Sequence, residues 1–323
     1  MPVDKSDYIK VLENFLKQCR EALELSKGLK ISDEITSIVV CGLGGSAIGG
    51  DLLKSCLSTT EIPVMVNRDY NLPKFVNEST LVFVISYSGN TEETLSCYEE
   101  AINKKAIIWT VTSGGKLAEL SDNAIKIPSG LQPRAAVGYL FFPILSLLYN
   151  SGLVDIKNAE LNEMLDILKD IDSFKEKAEA LAKKIGDKTP VIYSSNLFKP
   201  VAYRMKTQIN ENSKHPAFYH VFSEMNHNEL VGLSGMDRSK FIVFIIKDNQ
   251  DHPRIKKRMD ICKEIIEKRV DVEEIHTRGK FLLARLFSAL YLGDFISYYL
   301  AIQKRVDPTP VEVIEWLKKK LNE

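Results

Sequence analysis

Residues Leu81 to Tyr98 constrain the fold more than any other stretch of this chain. An apolar, β-branched run, Leu81 to Ile85, predicts a strand buried on both faces. The polar turn Ser86-Tyr87-Ser88-Gly89-Asn90-Thr91 follows. It leads into an amphipathic helical pattern with Glu92 and Glu93 in its first turn, where the helix dipole favours acids. Backbone N–H groups and hydroxyls gathered at such a helix start suit a phosphate monoester. No Walker lysine follows, so a nucleoside triphosphate with magnesium is not the natural ligand. The same turn is also what a plain βα loop needs, small residues and a cap.

The strand–turn–helix unit recurs. Tyr8 to Lys27 reads as an amphipathic helix on Leu12, Phe15, Leu16, Leu23 and Leu25, ended by Gly28. Ile35 to Cys41 is a strand, Gly42 to Asp51 a glycine-rich turn entering a helix, and Pro63 to Asn67 a further strand. Ala106 to Thr112 and Ala124 to Ile127 are strands on either side of a short helix, Leu117 to Leu120. Regular alternation of this kind predicts an α/β chain with a doubly wound parallel sheet. The second half repeats the plan. Thr189 to Tyr193 with Ser194-Ser195-Asn196 matches Ile35 to Ser46. Phe241 to Lys247, followed by the helix Arg254 to Arg269, echoes Leu81 to Tyr98. Val270 to His276 and the helix from Phe281 echo Ala106 to Leu120. Two doubly wound subdomains related by internal repeat are therefore expected, residues 1–153 and 154–323, with Asp155 to Lys184 as a helical bridge. In the second copy the phosphate turn is replaced by the charged, bulky Lys247-Asp-Asn-Gln-Asp-His-Pro253. The first copy is thus expected to bind phosphate, and the second to lend its surface to the same cleft.

Composition narrows the partners. Lys+Arg and Asp+Glu are both 43 in 323 residues, a zero formal net charge that gives no support to nucleic acid or an anionic membrane as the main partner. The five cysteines have no CxxC spacing, which points away from a disulfide framework or zinc site and toward a reducing cytoplasm. The histidines lack metal-ligand spacing, and no metal is expected. The polar N-terminus predicts no signal peptide. No apolar run reaches membrane-spanning length, Tyr139 to Tyr149 being too short and interrupted by proline.

Five places could carry chemistry, each with a plainer alternative. Gly42-Leu-Gly44-Gly45-Ser46-Ala47 is near the dinucleotide fingerprint, but the acid expected about 20 residues later has no clear candidate. The rival reading has the glycines admitting a substrate close to the backbone, with Ser46 bonding a sugar hydroxyl or phosphate; no cofactor is expected. Arg134, flanked by Pro133, Ala135 and Ala136, is either a solvated surface residue or a cation held in a cleft against a developing enediolate. Glu211, within Gln208-Ile-Asn-Glu-Asn-Ser-Lys214-His-Pro216, is either an exposed helix-end acid or a general base. His227 could shuttle a proton or simply bond a carbonyl. Lys318, in a lysine run near the C-terminus, ordinarily marks a solvated helix end.

Taken together, the motifs resemble a known family. The Ser86–Thr91 turn looks like the phosphosugar turn of the sugar isomerase (SIS) domains. Its order with Gly42-Leu-Gly-Gly45-Ser46, Pro133-Arg134-Ala-Ala136, Asn210-Glu211-Asn-Ser-Lys214 and His227-Asn-Glu229 resembles the bifunctional phosphoglucose/phosphomannose isomerases. The ending from Val306 to Lys318 is similar too, so the likeness runs from about Ile35 to Lys318. The resemblance implies interconversion of glucose 6-phosphate, and of mannose 6-phosphate, with fructose 6-phosphate through a cis-enediol, in glycolysis or gluconeogenesis. It implies Glu211 as the base between C1 and C2, Arg134 as the enediolate stabiliser, and Lys318 near the ring or enediolate oxygens. It gives the phosphate and sugar to Gly45, Ser46, Ser86, Ser88 and Thr91, with Thr309 as a further substrate-binding residue. His227 is implied to assist ring opening across a homodimer, completing the partner's site. One departure stands out. The family's threonine for the mannose epimer falls at Val311, and Thr309 lies two residues earlier. SIS modules also serve as non-catalytic phosphosugar-binding regulators. A regulator needs the Ser86–Thr91 loop, whereas an isomerase needs Glu211 and Arg134 with it.

Overall fold

The computed structural model describes residues 2–321. Two compact units are present: Asn14–Leu165, and Met1–Glu13 together with Asp166–Glu323. The division thus falls at Leu165/Asp166, later than the 153/154 join read from the sequence, and the first residues group with the later unit. The single helix expected over Tyr8 to Lys27 is accordingly two, α1 (Tyr8–Glu13) and α2 (Phe15–Glu24), parted at Asn14 (φ −81°, ψ 4°). Apolar periodicity runs through the break because both halves are amphipathic, but each half serves its own core. The Leu12 carbonyl in α1 accepts a hydrogen bond from the Tyr291 hydroxyl at 2.8 Å. Gln18 in α2 instead donates to the Ala135 carbonyl at 3.0 Å and accepts from the Gly138 N–H at 2.7 Å.

The unit Asn14–Leu165 carries β1 (Ser37–Cys41), α3 (Gly45–Cys56), β2 (Val64–Asn67), β3 (Thr80–Ile85), α4 (Glu92–Asn103), β4 (Ile107–Thr112), α5 (Gly115–Leu120), β5 (Ala124–Lys126) and α6 (Val137–Asn150). Its strands form one parallel sheet in the order β2-β1-β3-β4-β5. β1 and β3 are buried at every residue, as their unbroken β-branched runs predict. α6 buries Val137 through Leu145, Leu147 and Leu148, which is why it reads as apolar on all sides.

The bridge expected over Asp155 to Lys184 is a pair of helices, α7 (Asn158–Ile167) and α8 (Ile171–Ile185). The later unit continues with β6 (Thr189–Ser195), α9 (Lys199–Ser213), β7 (Phe218–Phe222), the short α10 (Glu229–Gly232), β8 (Phe241–Lys247), α11 (Pro253–Ile266), β9 (Asp271–His276), α12 (Leu282–Gln303) and α13 (Glu312–Leu321). Its sheet is also parallel, in the order β7-β6-β8-β9. β6, β7, β8 and β9 therefore take the places of β2's sheet in matching order, β6 for β1, β7 for β2, β8 for β3 and β9 for β4. The doubly wound repeat read from the sequence is the observed fold. β7 is the strand the pattern did not reveal, because Phe218-Tyr-His-Val-Phe222 is neither a clean alternation nor an apolar run.

In sheets of this order the chain reverses direction beside the first strand, and ligands collect at the carboxyl ends of the strands flanking that point. In the first unit those ends belong to β1 and β3, which place Gly42–Ser46 and Ser86–Thr91 side by side. In the later unit they belong to β6 and β8.

Candidate active site

The turn after β3 is built by its own hydroxyls. Ser86 Oγ and Thr91 Oγ1 lie 3.0 Å apart and share a hydrogen bond. The Gly89 N–H donates to Ser86 Oγ at 3.1 Å, and the Asn90 N–H donates to Ser88 Oγ at 3.3 Å. Thr91 is the N-cap of α4, so the hydroxyls stand at the positive end of a twelve-residue helix. Ser86 is buried and Ser88 is exposed. Tyr87 pins the turn from beneath. Its hydroxyl donates to the Pro128 carbonyl and accepts from the Leu131 N–H, each at 2.9 Å, while its carbonyl accepts from Ser113 Oγ at 2.6 Å. Burial pushes the Tyr87 phenol above its ordinary pKa, which keeps it a neutral donor.

Gly89 makes this geometry possible. Its φ is +71°, and a Cβ there would come within 1.8 Å of the Gly114 carbonyl oxygen. Gly89→Ala is therefore expected to cost at least about 1–2 kcal/mol from the left-handed backbone alone. Relief of the clash must then part the 86–91 and 112–115 turns. The check is affinity for inorganic phosphate together with thermal unfolding; an alanine variant with wild-type values for both would show that the turn tolerates a side chain.

The glycine-rich turn after β1 brings Arg134 to the same end of the sheet. A Cβ on Gly45 would meet the Pro133 carbonyl oxygen at 2.6 Å and the Arg134 nitrogen at 2.8 Å. Only glycine lets the 3-10 turn Pro133–Ala135 rest on the start of α3. Arg134 is buried, with Nη1 donating to Gln132 Oε1 at 3.4 Å. Ser46 is buried in the first turn of α3, and its Oγ accepts from the Tyr87 N–H at 3.3 Å, tying the two turns together. Gly45, Ser46, Ser86, Ser88, Thr91 and Arg134 thus occupy one end of one sheet, the end where this topology binds ligands.

Glu211 lies in the later unit near the end of α9. One face of that helix is locked to α12 by a polar ladder at helical spacing. Arg204 donates to Asp294 through Nε at 2.9 Å and Nη2 at 2.8 Å, and Gln208 Nε2 donates to the same carboxylate at 3.1 Å. Asn212 Nδ2 donates to Ser297 Oγ at 2.9 Å, and Ser213 Oγ donates to the Ser297 carbonyl at 2.7 Å. Burial pushes the Asp294 carboxyl up, and Arg204 and Gln208 oppose that shift. With 204, 208 and 212 fixed inward, residue 211 is turned aside by one helical step. Half-buried Glu211 lines a cavity of about 650 Å³, walled by Asn210, Lys214, His215 and Pro216 on one side and by Val306, Asp307 and Pro310 to Ile314 on the other.

His215, in that wall, donates Nε2–H to the Lys188 carbonyl at 2.9 Å. Burial holds its pKa below the ordinary 6.5. The folded chain therefore keeps His215 neutral where the unfolded chain takes up a proton. Its contribution to stability is full above about pH 6.5 and is lost as the pH falls below that value toward the folded pKa. The difference in unfolding temperature between wild type and His215→Gln is expected to shrink from pH 7.5 to pH 5. A difference that does not change with pH would rule out this titration.

His227 follows a 3-10 turn, Glu224–Asn226, and is exposed. Its neighbours are fixed: Asn228 Oδ1 accepts from the Glu229 N–H at 2.6 Å, and Glu229 Oε1 accepts from the Tyr193 hydroxyl at 2.6 Å. Thr309 lies in the strap between the wall residues Asp307 and Pro310, its N–H donating to Asp307 Oδ1 at 3.1 Å. Val311 lines the cavity itself. Lys318 is exposed on α13, a helix with no buried residue. At the β6/β8 ends, the turn that replaces the phosphate loop is filled internally. Buried Asp248 pairs with buried Arg285 and accepts from Thr277 Oγ1 at 3.0 Å. Sequence reading passed over Arg204, Asp294 and Ser297, although the 204-208-212 spacing and two polar residues within the apolar α12 were the available signal.

Among the described residues no group of three or more His, Cys, Asp or Glu is arranged to hold a metal ion, and no helix is long and apolar enough to cross a membrane. Two family models match the chain, the SIS domain over residues 30–148 and the bacterial phospho-glucose isomerase C-terminal SIS domain over residues 174–321. With two matching parallel sheets and a hydroxyl-rich turn at the first one's ligand end, this is a protein of two SIS modules. The C-terminal domain of glucosamine-fructose-6-phosphate aminotransferase from Francisella tularensis shares the fold, with a TM-score of 0.72 over 94% of this chain and 97% of that one at 16% identity. A bifunctional phosphoglucose/phosphomannose isomerase from Caldicellulosiruptor bescii is 44% identical over 96% of this chain and 97% of its own length, and one from Thermoplasma acidophilum is 42% identical over 89% and 90%. The chain belongs to the family of bifunctional phosphoglucose/phosphomannose isomerases.

Proposed function

We propose that the protein is an aldose–ketose isomerase that interconverts glucose 6-phosphate and mannose 6-phosphate with fructose 6-phosphate. The observation that carries this reading is family membership over nearly the whole chain. The 6-phosphate binds the Ser86, Ser88 and Thr91 hydroxyls and the amides at the start of α4, and Gly45 and Ser46 admit the sugar close to the backbone. Glu211 takes the C2 proton of the open-chain aldose and returns it to C1, while the O1 and O2 protons exchange so that the carbonyl moves to C2. Arg134 stabilises the cis-enediolate between these steps, the point at which a fixed cation contributes most. Lys318 sits near the ring or enediolate oxygens, and Thr309 is a further substrate contact that bears on the mannose epimer. His227 assists ring opening and, in a homodimer, serves the partner's site. The setting is the cytoplasm, in glycolysis or gluconeogenesis.

The test is turnover on glucose 6-phosphate and mannose 6-phosphate side by side, in chelator and without added metal. Comparable rates on both are expected. Activity on glucose 6-phosphate alone would keep the mechanism and remove the mannose epimer, with Val311 in the wall as the cause. No turnover on either, with phosphosugar bound, would replace the isomerase by a phosphosugar-binding regulator.

A further inference from the structure

We infer that Lys214 is a positioning residue for this reaction, tying the C-terminal strap 306–311 to the end of the helix that carries Glu211; the inference rests on the isomerase reading above. Lys214 caps α9 in the left-handed conformation, φ 50° and ψ 39°. Glycine is the usual residue at such a helix end, because a Cβ is disfavoured there. Here a long cationic side chain stands in its place, and the side chain crosses to the strap. Its Nζ donates to the Asp307 carbonyl at 2.7 Å and the Pro308 carbonyl at 3.2 Å, with the Asn212 carbonyl at 3.4 Å. An ammonium has three donors and no acceptor, so three convergent carbonyls match it.

The strap is suited to being held at one point. Pro308 and Pro310 stiffen it, and the Asp307 side chain closes it on the Thr309 N–H at 3.1 Å. Val306, Asp307, Pro310 and Val311 then form the wall that faces Asn210 and Glu211 across the cavity. Beyond the strap, α13 buries no residue and starts directly from it, the Ile314 and Glu315 N–H groups donating to the Val311 carbonyl at 2.9 and 3.1 Å, so Lys318 is carried on a helix that the strap leads into. Lys214 therefore spans the cavity's two walls and fixes the spacing between Glu211 and the segment bearing Thr309 and Lys318.

Lys214→Gly separates this role from folding, because glycine suits the left-handed cap while the side chain that reaches the strap is removed. The variant is expected to unfold at or above the wild-type temperature. Amide exchange over 306–321 should accelerate at least about tenfold while the strands keep their protection. Misplacement of catalytic groups by about an ångström costs up to about a hundredfold, so kcat should fall about ten- to a hundredfold with KM little changed. Lys214→Arg, which can reach the same carbonyls, should recover most of both. Unchanged exchange over 306–321 would overturn the tether. Faster exchange with wild-type kcat would overturn the positioning role. A wild-type chain inactive on both hexose phosphates would instead sink the isomerase reading, and the exchange measurement would still decide whether Lys214 holds the strap.

Discussion

Glu211→Gln is expected to lower kcat on both hexose phosphates by about 10²–10⁴-fold, the range a positioned general base supplies. The amide keeps the size and shape of the side chain and can still accept a hydrogen bond. What it loses is the ability to hold the proton taken from C2, so the chemical step fails while the ester stays bound. KM, or the dissociation constant of a non-reacting hexitol phosphate, should stay within about threefold of wild type, the pattern of an interaction made in the transition state alone. Exchange of the C2 hydrogen with solvent should disappear in parallel with turnover. The structural basis is the register of α9: Arg204, Gln208 and Asn212 are bonded to α12, and Glu211 is thereby turned to the cavity rather than to the core. A variant retaining more than about a third of the wild-type kcat would take Glu211 out of the mechanism and move the search to the other polar walls of that cavity.

What the sequence made legible was local. Ser86 to Thr91 could be read because the strand, the turn and the acids of the following helix are contiguous, and their hydrogen bonds close within five residues. Gly45 and Arg134 could be named separately. That they meet, with no room for a Cβ between Gly45 and Pro133, depends on packing across almost ninety intervening residues. The α9–α12 ladder was hidden for the same reason. Polar residues at 204, 208 and 212 carry no sign of burial in the sequence until the partner helix supplies Asp294 and Ser297. The break at Asn14 was hidden differently, because hydrophobic periodicity reports that a residue is buried and not which core buries it. Lys214 was visible only as one cation in a polar cluster; its acceptors are backbone carbonyls, which no side-chain pattern encodes.

The ladder also sets the largest expected stability effect. Asp294→Asn preserves the shape of a buried side chain and removes its charge, leaving the Arg204 guanidinium in an apolar helix interface without its carboxylate. Breaking one partner of such a pair costs about 3–5 kcal/mol, because the remaining charge stays desolvated. For a unit of this size about 1 kcal/mol corresponds to about 2–4 °C, so the unfolding temperature should fall by roughly 10 °C. Arg204→Met with Asp294→Leu should lose less than Asp294→Asn alone, since exchanging both members for apolar groups removes the desolvation penalty along with the attraction. Ser297→Ala deletes the bond from Asn212 but keeps the carbonyl that Ser213 uses, and should cost only about 0.5–1.5 kcal/mol. A shift below about 2 °C for Asp294→Asn would mean that water or another group already satisfies the guanidinium, and the pair would not be what holds α9. If the expected order holds, the double variant carries the more telling measurement. It restores stability without restoring the bidentate register, so a kcat still depressed in a stable protein would show that the ion pair is kept for aiming Glu211 and not for holding the fold together.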